Sequence, residues 1–185
     1  MGRRSRSLPD AGREHRRSRR GAPPVTEPVE PLRLTYEVRC SPEHAFRTWT
    51  ERFGTWWPKG HSVSGDPEAV VLEARPGGRI YERTTAGDEV QWGEITAWEP
   101  PRSLSYLWHI RRDRADATDV RIDFVSDGQG GARIEVTHTG WERLGAEAQT
   151  WRDANAGGWD SLIPHFAEIV QHSPEPPLGR AEEQT

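Results

Sequence analysis

Apolar residues occupy every second position in Leu32, Leu34, Tyr36 and Val38, with Arg33, Thr35 and Glu37 between them, which predicts a β-strand buried on one face. The period then changes. Ala45, Phe46, Trp49 and Phe53 step by three and four behind Ser41, a good helix cap, and Pro42, which suits the first helical position because its missing N–H has no partner to lose there. Gly54 and Pro58 are expected to end this helix. From about residue 69 to 139 a six-strand antiparallel meander is predicted, its strands separated by turn chemistry at Pro76-Gly77-Gly78, Ala86-Gly87-Asp88, Glu99-Pro100-Pro101, residues 111–117 and residues 127–131. The clearest alternation sets Val120, Ile122 and Phe124 against Arg121 and Asp123, then Ile134, Val136 and His138 against Glu135 and Thr137. Gly128-Gln129-Gly130-Gly131 lies between two of these strands, so it reads as a hairpin turn and not as a phosphate cradle.

Leu144, Ala148, Trp151, Asn155, Trp159, Leu162, Phe166 and Ile169 restore the helical spacing, and this stripe is expected to lie on the sheet. Gly157 and Gly158 each cost the helix roughly 1 kcal/mol of propensity, and Pro164 removes a backbone donor. A kink or break is predicted there, and the glycines are expected to allow close backbone approach. The fold class is therefore α+β: an early strand and helix, an antiparallel sheet of about seven strands, and a long C-terminal helix packed on it.

The 185 residues suit one domain, and with 33% hydrophobic residues much of the core volume must come from the nine tryptophans. Residues 1–30 hold eight arginines against Asp10, Glu14, Glu27 and Glu30, so this stretch carries +4 and the rest of the chain, whose overall net charge is −4, carries −8. Having almost no large apolar side chain, residues 1–30 are expected to be a disordered basic extension. It reads either as an arm for RNA, anionic lipid or organelle targeting, or as an unstructured leader or misassigned start. The domain is expected to span 31–172, with 173–185 a disordered tail. An acidic body argues against nucleic acid as the main partner, because phosphate binding needs clustered lysine and arginine on the folded surface. No stretch approaches the roughly 18 apolar residues of a membrane span, and no secretory signal is evident, so a cytoplasmic location is expected. Cys40, the single cysteine, excludes an intramolecular disulfide and a multi-cysteine metal site.

Certain segments are specific in combination: Arg75-Pro76-Gly77-Gly78-Arg79-Ile80-Tyr81-Glu82; Trp92-Gly93-Glu94-Ile95 followed by Trp98-Glu99-Pro100-Pro101 and Leu104 to Trp108; and Gly131 to Trp141, ending Thr137-His138-Thr139-Gly140-Trp141, with Gly158-Trp159 in the last helix. In this order, over about residues 32–171, they resemble the START-like, helix-grip SRPBCC superfamily, and within it the branch named for the C-terminal domain of activators of the heat-shock-protein-90 ATPase. The resemblance implies a sheet wrapped around a long terminal helix with an internal cavity. Superfamily members include lipid carriers, ligand sensors, polyketide cyclases and oxygenase domains, so fold does not choose the activity. No separate N-terminal chaperone-binding domain fits in this chain.

Strand parity puts His138 on the face of Ile122, Phe124, Ile134 and Val136, Tyr106 and Trp108 on the face of Leu104, and Glu82 on that of Ile80. The expected ligand-binding set is Trp49, Trp57, Tyr106, Trp108, Ile122, Phe124, Val136, His138 and Trp159, with Trp56 as a further possible wall. Glu82 and His138 are the candidate catalytic residues: a carboxylate and an imidazole in a dry pocket can act as general base and acid. Alternatively Glu82 pairs with an arginine such as Arg75 or Arg79, and His138 serves a core hydrogen bond. Cys40 and His44 lie four apart but read better as buried packing than as a nucleophile pair. His61, His109, His165 and His172 form no metal motif, and no cofactor is implied. The expected function is binding of a small hydrophobic or aromatic ligand, as carrier or sensor. The alternatives are a cyclase, dehydratase or isomerase using the same cavity without a metal, or a co-chaperone-like protein-interaction module.

Overall fold

The structure, a computed structural model, describes residues 28–173. Expectations for the basic arm up to residue 27 and for the tail from residue 174 lie outside the described residues. Seven strands, β1 (Leu32–Val38), β2 (Ala69–Leu72), β3 (Arg79–Arg83), β4 (Glu89–Glu99), β5 (Ser103–Trp108), β6 (Thr118–Ser126) and β7 (Ala132–Thr139), form one antiparallel sheet in the order β1-β7-β6-β5-β4-β3-β2. The meander from β2 to β7 runs through neighbouring hairpins, and β1 closes the far edge beside β7. Two extra residues in β4, Trp92 opposite β3 and Thr96 opposite β5, interrupt the ladders, and such bulges bend the strand and help curl the sheet.

Register confirms the parity read from the sequence. Leu34, Val136, Ile122, Leu104 and Trp98 form one row across five strands, and Leu32, His138, Val120, Tyr106 and Ile95 form the next. The outer face carries ion pairs between same-strand neighbours, Arg121 with Asp123 and Arg133 with Glu135.

Three helices cover the inner face. In α1 (Pro42–Glu51) the Ser41 hydroxyl accepts from the His44 amide at 3.2 Å, as its capping role requires. The single helix expected up to Gly54 divides at Arg52, and a short α2 (Phe53–Trp56) follows. Gly54 lets α2 lie directly on β2, since a Cβ there would sit 2.3 Å from the Val70 carbonyl oxygen. The long helix α3 (Ala148–His172) follows a 3-10 turn, Trp141–Glu147.

The predicted break in the last helix falls elsewhere. α3 runs without interruption through Gly157, Gly158 and Pro164, and the change of direction comes at Gly145, whose φ of 53° is open to glycine at little cost. Pro164 sits on the exposed side of the helix. No close backbone approach occurs at the two glycines, because a Cβ at either would meet no atom within 4 Å.

The core is aromatic. Trp49 is fully buried, with ring centroids of Trp56 at 4.6 Å, Phe166 at 4.9 Å and Phe124 at 5.9 Å. Edge-to-face and tilted contacts of this kind add to the energy of area burial. His44 donates to the Val170 carbonyl at 3.2 Å and joins α1 to the end of α3, while Cys40 is buried. Tyr36 donates to Asp160 at 3.0 Å and ties β1 to the middle of α3.

Candidate ligand cavity

The large buried side chains of α3 are Trp159, Leu162, Ile163, Phe166 and Val170, from the middle of the helix to its C-terminal end, and at its start only Ala148 is buried. One and two turns earlier the helix presents Ala154, Asn155 and Gly158, side chains too small to reach the sheet. The space left is a cavity of about 330 Å³ between α3, β5, the connection after β5 and residues 57–61. Its apolar wall is Trp57, Tyr106, Trp108, Ile110, Trp151, Trp159 and Leu162, and its polar groups are His61, Arg111 and Asn155. A pocket of this size, mostly apolar with a few placed polar groups, is the usual form of a small-molecule site.

Each wall has its own support. Trp57 stacks on Phe53 at 5.1 Å and touches Trp92 and Trp108 at 5.3 and 5.8 Å. Trp151 is capped by the Arg112 guanidinium, 4.6 Å from its ring centroid, and Arg112 also pairs with Glu147 at 3.0 Å. This cation–π contact fastens the stretch after β5 to the part of α3 that stands off the sheet.

Tyr106 is 4% exposed, and its hydroxyl finds no hydrogen-bond partner among the described residues. Burial pushes the phenol well above its ordinary pKa of 10.0, so it stays protonated and is a donor awaiting an acceptor. The Asn155 amide nitrogen donates to the Trp151 carbonyl at 2.8 Å, which turns its oxygen away as a free acceptor. The His61 ring is held below its ordinary pKa by burial, then by the nearby charges of His165 and Arg111. Its Nε2 lies 3.4 Å from the Ser161 hydroxyl.

Arg111 has a φ of 60°, the single positive value at a non-glycine residue among those described. Such a backbone persists only where the surroundings hold it. Here the guanidinium donates to the Ser62 carbonyl at 2.5 Å, and the Arg112 amide closes a turn onto the His109 carbonyl at 2.8 Å.

Of the residues expected to bind ligand, Trp57, Tyr106, Trp108 and Trp159 line this cavity. Trp49, Ile122, Phe124 and Val136 do not, being at most 4% exposed within the closed core under α1 and α3. Trp56 also lies there, its indole N–H donating to the Trp49 carbonyl at 3.2 Å. His138 is fully buried on the predicted face, but beneath Trp141, whose ring centroid is 4.2 Å away. Its Nε2 is 2.7 Å from the Thr118 hydroxyl. That hydroxyl donates to the Trp108 carbonyl, so Nε2 carries the ring proton and Nδ1 is a bare acceptor without a partner. Burial drives the His138 pKa down to about 3.

Glu82 is fully buried as well, yet its carboxylate accepts from the amides of Val63 at 2.7 Å and Ser64 at 2.8 Å. It therefore holds the loop beyond His61 against the sheet. Arg75 and Arg79, its alternative partners by sequence, pair with Glu73. The structure does not bring Glu82 and His138 together at the cavity.

Sequence reasoning missed Arg111, His61, Ile110 and Leu162 as wall residues, and it placed Trp151 and Asn155 on the sheet. The positive φ and the return of the loop onto the cavity are tertiary facts, and only the polarity of Arg111 beside Trp108 and Ile110 hinted at them.

Among the described residues no helix is long and apolar enough to cross a membrane. The family described as Activator of Hsp90 ATPase homolog 1-like protein matches residues 39–171. A search of curated proteins returns no match. Among solved structures, an anthrahydroquino-gamma-pyrone synthase, Txn09, is 32% identical, with 68% of this chain and 86% of that chain covered and a TM-score of 0.49. The self-sacrificing resistance protein CalC from Micromonospora echinospora is 25% identical, covering 76% and 94% at a TM-score of 0.58. An HSP90 activator from Plasmodium falciparum shares the fold at 19% identity, covering 78% and 97% with a TM-score of 0.55.

Proposed function

The chain belongs to the family of Activator of Hsp90 ATPase homolog 1-like proteins, and from that premise we propose that it binds a small planar aromatic compound between its sheet and α3, as a carrier or sensor. The observation that carries this reading is the wall itself. Trp57, Tyr106, Trp108, Trp151 and Trp159 surround about 330 Å³, room for about two or three fused rings. Aromatic faces recognise flat ligands through offset and edge contacts. The unpartnered Tyr106 hydroxyl and the free Asn155 oxygen supply one donor and one acceptor to orient the ligand. CalC, described as a self-sacrificing resistance protein, shares this fold at 25% identity.

Native mass spectrometry of gently purified full-length protein tests the reading, with titration of the tryptophan emission by neutral 2-naphthamide as its complement. Expected are a co-purifying compound or saturable quenching, weakened several-fold in Tyr106→Phe if the probe's carbonyl takes that hydroxyl. A chain that carries nothing and whose emission does not respond overturns the proposal.

A further inference from the structure

The cavity is lined by no aspartate or glutamate, although the chain has 29 acidic residues against 25 basic ones. What charge it has is positive. Arg111 is its one lining arginine, with His61 beside it. Most arginines of the domain spend their charge on carboxylates, as Arg79 does with Glu73 and Glu89, and Arg114 with Glu94. Arg111 has no carboxylate within ion-pair distance among the described residues, and its one hydrogen bond is to the Ser62 carbonyl. A guanidinium has five N–H donors in a planar fork, so most of that fork is unused.

The backbone is bent to put it there. Arg111 holds a left-handed φ of 60° that a glycine would take without strain. Arg111 is exposed at the rim of the cavity and on its other side borders a shallow hollow with Asp113 and Asp116, neither of them ion-paired with it, so its fork is open to an anion entering beside the apolar wall.

We infer that the cavity selects an aromatic carboxylate, with the rings between Trp57, Trp108 and Trp159 and the carboxylate on the open fork of Arg111. The inference rests on the cavity being a ligand site and adds the charge of its ligand. A carboxylate matches a guanidinium in bidentate geometry, and because Arg111 is exposed the pairing forms at the water-facing rim of the cavity. The same arrangement disfavours cationic aromatics, which would face Arg111 unpaired.

Isothermal titration calorimetry of the full chain with 2-naphthoate and with its neutral isostere 2-naphthamide separates the two claims. Tighter binding of the naphthoate, by about three- to fivefold, is expected from one solvent-exposed ion pair. Arg111→Gln should bring the two probes to equal affinity, and Arg111→Lys should restore part of the preference. Equal affinities in the unaltered protein, or a preference that survives in Arg111→Gln, overturn the charge selection and leave the aromatic cavity standing. Binding of neither probe overturns both. If Arg111→Gln fails to fold, the two-probe ratio on the unaltered chain decides alone.

Discussion

At the C-terminal end of α3, Phe166 is fully buried with the rings of Trp49 at 4.9 Å and Trp56 at 5.5 Å. At the N-terminal end, Trp151 and Trp159 face Tyr106 and Trp108 across a cavity of about 330 Å³. Both regions are aromatic, and both sit between the same helix and the same sheet. They differ in what stands opposite. Near Phe166 a second helix, α1, fills the space with Phe46 and Trp49. Near Trp151 no second α-helix among the described residues packs on the sheet, and α3 presents Ala154, Asn155 and Gly158 to the cavity. Aromatic content therefore makes a core where helices are doubled, and a pocket where a helix is alone and its side chains are small.

The packed end should be the costly one to disturb. Phe166→Ala is expected to remove about 3–5 kcal/mol of stability, the range for emptying a fully buried phenylalanine site. Urea unfolding measures it, and a loss below about 1 kcal/mol would place the closed core wrongly.

His138 reports on the packed region by pH. Its pKa is about 3 in the fold against 6.5 when unperturbed, with burial as the cause. Between these values the unfolded chain binds more protons than the folded one, so stability falls as pH drops from 6.5 towards 3. The limiting slope from this residue is about 1.4 kcal/mol per pH unit. His138→Gln keeps a donor for Thr118 but cannot titrate, and should flatten the upper part of that slope, where carboxylates are still ionised. Identical pH profiles for the two proteins would show that His138 is not shielded from water.

The open end should respond in affinity instead of stability. Gly157→Ala and Gly158→Leu each improve helix propensity by up to about 1 kcal/mol, and a side chain at either position meets empty space. Gly157 is exposed, whereas Gly158 lines the cavity. Gly157→Ala should leave 2-naphthamide binding as it was, while Gly158→Leu should lose it, and thermal unfolding with probe titration tests both. Equal binding by the two variants would move the ligand out of this cavity.

Some of this was legible before the fold was known. Leu32 to Val38 announced a half-buried strand because side-chain direction alternates with period two, and all five turn segments of the meander fell where glycine, proline and aspartate put them. The inner-face position of His138 followed from the same parity. Its environment did not, since whether an inward side chain meets a cavity or a roof depends on Trp141, which only the turn after β7 brings over it. Glu82 was placed on the right face too, but its partners are backbone amides of Val63 and Ser64, and no pattern of side chains predicts a bond to a loop's N–H groups.

The glycines teach the same lesson from the other side. Gly157-Gly158 looked like a helix break, yet α3 continues through them because tertiary contacts of Trp159, Leu162 and Phe166 outweigh about 2 kcal/mol of lost propensity. By itself the sequence determined the order and type of elements, the inner and outer faces of the strands, and an aromatic interior, since these depend on periodicity and local chemistry within a few residues. The position of the cavity, the return of Arg111 onto it and the sealing of Glu82 and His138 away from it were decided only by tertiary structure. They depend on how far α3 stands from the sheet and on which distant loop covers each side chain, distances that no short stretch of the chain encodes.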